Sequence, residues 1–136
     1  MLNNKITTIK VESSGKDQVI DITSKISDFV KKTKIESGIC YVYVPHTTAA
    51  ITINENADPD VKHDFLKGLN SIVRDDLSYR HAEGNSSAHI KASIIGAAAE
   101  IFVENNDLML GTWQGIFFCE FDGPRIRNVH VKLIEG

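Results

Sequence analysis

Residues 38–76 read GICYVYVPHTTAAITINENADPDVKHDFLKGLNSIVRDD. This stretch decides the fold class, because strand, break, strand and helix signals follow one another inside it. Gly38 to Val44 is a short apolar run rich in β-branched and aromatic residues, and Pro45 ends it by removing a ladder donor. Ala49 to Asn56 (AAITINEN) reads as a second strand close behind. Asp58 then stands where a helix N-cap is wanted, and Pro59 fills the first helical position. Beyond it, Val61, Phe65, Leu69, Ile72 and Val73 recur at helical spacing and line one face.

The same reading extends outward in both directions. Residues 5–13 (KITTIKVES) and 18–23 (QVIDIT) look like two strands joined by a turn at SGKD. Residues 24–35 place Ile26, Phe29 and Val30 on one helix face, with Thr23 or Ser24 available as the cap. Residues 74–88 are polar and irregular. A second short helix is expected to begin in SSAHIKASIIGAAAE, residues 86–100, with Ser86 or Ser87 capping it. Three further strands follow, in EIFVEN, LMLGTWQGIFFCEF and RIRNVHVKLIE. Many strands in meander-like succession, with two to three helices among them, predict a compact α+β domain. Its sheet or sandwich should be mainly antiparallel.

The chain has 136 residues, which accommodates one real hydrophobic core, and no repeat or Pro/Gly-rich linker divides it. A formal net charge of -3 gives no support to a broad nucleic-acid surface. No apolar run approaches the roughly 20 residues of a membrane span, and MLNNKITTIK lacks the apolar segment of a secretory signal. Cys40 and Cys119 lie in apolar strands outside any CxxC pair, so they read as buried free thiols. A cytoplasmic setting is the expectation.

Chemistry concentrates around three of the five histidines. His63 falls on the polar side of its helix, and His130 on the outward face of the last strand. His46 instead sits at a strand end among hydroxyls, where the chain bends. His81 and His89 bracket Glu83, Gly84, Asn85, Ser86 and Ser87. Imidazoles from separate segments are common zinc ligands, although this spacing matches no compact metal motif. The other reading of the loop is a polar turn whose histidines bond to neighbouring backbone. Ser86 and Ser87 at a helix start also favour phosphate, with Lys91, Thr47, Thr48, Arg125 and Arg127 as further contacts. Among the acids, Asp58 already has a capping role. Glu55 and Glu120 stand near strand ends, free to orient a His ligand, bind a divalent ion or act as acid/base. The lone Trp113 offers a stacking surface or core packing.

The blocks at residues 45–61 (PHTTAAITINENADPDV), 79–96 (YRHAEGNSSAHIKASIIG) and 110–127 (LGTWQGIFFCEFDGPRIR) resemble, in order, the signatures of the YjbQ family. The resemblance runs from about residue 5 to the end. It implies a single α+β domain assembled as a homotrimer, and an activity labelled secondary thiamine-phosphate synthase. That reaction joins a pyrimidine methyl pyrophosphate to a thiazole phosphate and releases pyrophosphate. Carried onto this chain, the family's polar cluster is His46, Glu55, His81, Asn85, His89, Trp113, Gln114, Glu120 and Arg125. The expected site therefore has His46, His81 and His89 as metal ligands, with zinc first and magnesium or manganese as alternatives. Glu55, Glu120 and Asn85 are its catalytic groups. Thr47, Thr48, Ser86, Ser87, Trp113, Gln114 and Arg125 contact a phosphorylated small molecule. Two other functions compete: a metal-dependent hydrolase of a phosphorylated metabolite, and a trimer that binds such a ligand without turnover.

Overall fold

The computed structural model describes residues 5–136. The element order is β1 (Thr7–Glu12), β2 (Gln18–Asp21), α1 (Thr23–Thr33), β3 (Gly38–Tyr43), β4 (Ala49–Glu55), α2 (Pro59–Ile72) and α3 (Ser86–Ile95). It continues with β5 (Ala98–Glu104), β6 (Asp107–Leu108), β7 (Gln114–Glu120) and β8 (Ile126–Glu135). The strands form two sheets, one of five strands in the order β1-β8-β3-β5-β6 and one of three in the order β2-β7-β4. Every pairing is antiparallel. The α+β expectation is met, and the sandwich arrangement with it.

The main core fills the space between the sheets. β8 sends Arg127, Val129, Val131 and Leu133 inward while Asn128, His130 and Lys132 face out, the period-two pattern of a half-covered sheet. β7 differs, being buried along its whole length from Gly115 to Glu120. Ile116 and Phe118 join the inter-sheet core with Val42, Ile51 and Val131, whereas Cys119 and Phe121 pack with Leu69, Val73 and Ala92 from α2 and α3. The three-stranded sheet is therefore covered on both faces, which explains the run IFFCEF, apolar except for Glu120. Full burial of a side chain such as Phe118 contributes about 1.5–3 kcal/mol. Cys40 and Cys119 are free and buried in different clusters, and burial pushes both thiols up to about 12.

Three local readings need correction. α1 begins at Thr23 itself, and the Asp21 carboxylate rather than Thr23 or Ser24 accepts the Thr23 amide and hydroxyl. α3 begins at Ser86, so Asn85 occupies the cap position expected for a serine. It ends at Gly96 (φ +101°), and residues 98–100 turn into β5 instead of prolonging the helix. In α2, Asp58 caps as expected by accepting the Asp60 amide at 2.9 Å, but Ile72 points to solvent at 75% exposure. No helix among the described residues is long and apolar enough to cross a membrane.

Candidate functional site

The site forms where three segments end together. β3 and β8 pair from Gly38–Glu135 to Tyr43–His130. Continuing that register would set Pro45 opposite Asn128, but the chain turns away there. The His46 ring takes the vacated place, and its Nε2 accepts the Asn128 amide at 2.9 Å. Thr47 and Thr48 follow before β4 begins. From the opposite side, the loop carrying His81 and Glu83 leads into α3, with Asn85 at its cap position and His89 in its first turn. Asp122 joins the third segment to the second. One of its carboxylate oxygens, Oδ2, accepts both Asn85 Nδ2 (2.9 Å) and Arg125 Nη2 (2.8 Å), and Arg125 Nε donates to the Asp122 carbonyl at 2.8 Å.

These residues surround a cleft of roughly 380 Å³ lined by Pro45, His46, Thr47, Thr48, His81, Glu83, Asn85, His89, Arg125 and Arg127. The His81 and His89 rings meet edge to face, 5.3 Å between centroids. Among the described residues Nη1 of Arg125 has no protein partner, so an exposed guanidinium keeps donors for a ligand. The Ser86 and Ser87 amides belong to the first turn of α3, ahead of the bond from the Ala88 amide to the Asn85 carbonyl. Asn85 Oδ1 is buried and unpartnered, ready for a donor. The cleft is rich in donors and has Glu83 as its single carboxylate, which suits an anion.

Several expected participants do other work. Glu120 is fully buried and binds the Arg127 guanidinium through both oxygens, with Nε at 2.9 and 3.2 Å. It also accepts the Ser13 hydroxyl (2.7 Å) and the Asp122 amide (3.1 Å). Burial alone would raise its carboxyl. The bonds from Arg127, Ser13 and Asp122 outweigh burial and hold it below its ordinary value. A carboxylate saturated in this way is not an available acid or base. Arg127 is likewise committed, since its Nη2 also reaches the Thr48 hydroxyl at 2.9 Å. Ser87 is buried and its hydroxyl donates to Asp75, so the side chain is turned from the cleft. Ser86 lines an adjoining depression with Tyr79 and Arg80. Lys91 is 1% exposed and binds Asn70, with Asp17 at 3.6 Å, on the far side of α3.

Glu55, Trp113 and Gln114 also lie elsewhere in the chain. Glu55 pairs with Gln114 at one end of the β4–β7 ladder, and Ala49 pairs with Glu120 at the other. The strand from 114 to 120 separates those ends by about 20 Å. Trp113 is 62% exposed there, not core. The sequence signals that were passed over are Glu83, inside the quoted histidine loop, and Ser13, whose partner lies more than 100 residues away.

The metal expectation meets a specific obstacle. Among the described residues no group of three or more His, Cys, Asp or Glu is placed to hold a metal ion. Moreover, a neutral imidazole has one lone-pair nitrogen and one N–H. The His46 lone pair on Nε2 is spent on the Asn128 amide, which assigns the proton to Nδ1. Burial, and then the charge of Arg127, lower the His46 pKa, so the ring stays neutral. In this arrangement His46 does not fit as a ligand, and its Nδ1–H is left as a donor. His81 and His89 remain as a pair.

The class of protein follows from this fold and the ordered sequence blocks. The family model for UPF0047 protein YjbQ-like proteins matches residues 7–136. UPF0047 protein YugU of Bacillus subtilis is 49% identical over 131 residues, covering 95% of this chain and 98% of the relative. A UPF0047 protein of Methanocaldococcus jannaschii is 47% identical over 125 residues, covering 92% and 91%. Among solved structures, an uncharacterized conserved protein of the YjbQ/UPF0047 family from Clostridium acetobutylicum superposes with a TM-score of 0.92 at 51% identity. That match covers 94% of this chain and 99% of the other. A YbjQ-like protein of unknown function from Sulfolobus solfataricus P2 gives 0.93 at 32% identity, covering 97% of each. The chain belongs to the YjbQ/UPF0047 family.

Proposed function

We propose that the cleft binds the phosphate or pyrophosphate of a small metabolite and that the protein is a transferase of the thiamine-phosphate synthase kind. The observation that carries this reading is the convergence of His46, His81, His89, Asn85 and Arg125 on one donor-rich cleft beside the first turn of α3. In that reaction the bond from the pyrimidine methylene carbon to the pyrophosphate oxygen breaks, and pyrophosphate leaves with the electron pair. The thiazole nitrogen lone pair forms the new C–N bond, so no protein nucleophile is needed. What the protein must supply is stabilisation of charge developing on the leaving oxygens. Arg125, the Nδ1–H of His46 and the first amides of α3 are suited to that role. In this reading His81 and His89 supply the proton taken up by departing pyrophosphate.

We further propose a homotrimer in which Trp113, Gln114 and Glu55 of a neighbouring subunit complete the site. Their surface position at the far end of β4–β7 supports this, since one chain keeps them apart. The reaction is tested by incubating the protein with both phosphorylated precursors and resolving products by mass spectrometry. Joined product with equimolar pyrophosphate is the expected result. Free phosphate without joined product points to the hydrolase. Ligand-induced thermal stabilisation without turnover points to a binding protein. Coassembly of Trp113→Ala with Arg125→Ala subunits tests the shared site: activity should reappear in the mixture if neighbours complete one another.

A further inference from the structure

A second space adjoins the anion cleft. It lies on the other side of His46, Thr47 and His89 and measures roughly 550 Å³, with walls formed by Ala49, Ala92, Gly96 and Ala97. The two spaces share those three residues as lining, so they adjoin. We infer that this second compartment receives the uncharged, ring-sized body of the phosphorylated substrate, a small heterocycle. The inference rests on reading the first cleft as the phosphate site.

The chemistry of the walls argues for such an occupant. Apart from the imidazoles, the lining holds no ionisable side chain, and the side chains of Ala49, Ala92 and Ala97 are methyl groups. The Ser93 hydroxyl is occupied by the His89 carbonyl at 3.0 Å. A second charged group, or a sugar with many hydroxyls, would lose water there without finding partners. A heterocycle would instead bury its faces on the methyl walls and meet Thr47 and the imidazoles at one edge. The compartment is also built to hold its shape. Gly96 turns the chain at φ +101°, the Val44 amide donates to the Ala97 carbonyl (2.8 Å), and the Ile51 amide donates to the Gly96 carbonyl (3.1 Å). These bonds fasten the far wall to β4 and to the end of β3. A preformed space of this size lies in the usual range for small-molecule sites.

Calorimetric titration of the intact protein with inorganic phosphate, and separately with a hydroxyethylthiazole phosphate, tests the inference. The thiazole phosphate should bind at least about tenfold tighter, the margin that a ring in an apolar compartment supplies. Ala97→Leu should erase that margin while leaving inorganic phosphate affinity unchanged. Ser93→Leu should do the same, and position 93 is exposed, so it tolerates substitution; melting curves verify folding of both variants. Equal affinity for the two ligands, or a margin surviving in both variants, overturns the compartment while leaving the phosphate cleft intact. Failure of inorganic phosphate to bind the wild type breaks the cleft reading itself and removes the compartment with it.

Discussion

Two polar clusters meet at the end of the sandwich, and nearly the same stretch of chain builds both. Glu120 and Arg127 face inward from the two sheets, and together with Ser13 and Thr48 they close the core. On the turn between them, Arg125 faces the cleft, exposed and with free donors, and Asp122 holds it from behind. The inner cluster is saturated: each charge has several partners and neither is exposed. The outer one is only partly satisfied. A polar group with no remaining valence fixes the frame, and one with donors to spare is available for chemistry. Position in the strand, not residue type, separates the two.

The contrast is broken most severely at the inner pair. Glu120→Ala leaves the Arg127 guanidinium buried without its counter-charge, and unfolding free energy should drop by about 3–5 kcal/mol. Denaturant titration checks this; a loss below about 1 kcal/mol would show that the frame does not depend on the pair. The acid dependence has a defined sign. Glu120 has a folded-state pKa below its ordinary 4.5, so its contribution is complete above that pH and is lost as pH falls through the lower folded value. The stability gap between wild type and Glu120→Gln should therefore narrow in acid below about pH 4.5, as denaturation curves at stepped pH will record.

That inner pair also marks where sequence reasoning stops. Strands β3, β4 and β8 and helix α2 were legible because alternation, a capping aspartate and a leading proline are local signals. Histidines 46, 81 and 89 were legible as a group because imidazoles at chain bends are uncommon. Glu120 reads as a catalytic candidate because a carboxylate at a strand end looks identical whether its partners are solvent or a buried arginine. Only the packing of β7 against β8 across the core decides between them. Likewise Ala98–Glu100 favour helix by propensity, and pairing with Tyr41–Tyr43 of β3 imposes the strand. The separation of about 20 Å between Glu55 and Glu120 follows from the β4–β7 register, which no local pattern encodes.

The outer cluster should behave in the opposite way. Arg125→Ala removes an ion pair whose arginine is half exposed, so stability should change by no more than about 1 kcal/mol. Affinity for inorganic pyrophosphate should nevertheless fall about tenfold or more, the scale of a lost charge-assisted hydrogen bond. His89→Asn should keep the fold and lower affinity less. An Arg125→Ala protein that loses several kcal/mol of stability yet, while folded, binds pyrophosphate normally would reverse the assignment of the two clusters.

His46 stands between the clusters, and its effect is the smallest in energy but the most specific in readout. Its Nε2 is held by the frame through the Asn128 amide, and its Nδ1 proton is left over for the cleft. Nitrogen-15 NMR of the imidazoles should find His46 in one neutral tautomer, protonated at Nδ1, through neutral pH and to below its ordinary 6.5. Because that pKa is depressed, the stability linked to His46 is present above 6.5 and is lost as pH falls through the lower folded value. Adding zinc should leave the His46 resonances in place, even if His81 and His89 respond. Movement of the His46 nitrogen shift on metal addition, with loss of the protected Asn128 amide, would mean that the ring can leave the frame. His46 would then belong wholly to the outer cluster, as a ligand beside His81 and His89, and the division between frame and cleft would run behind it.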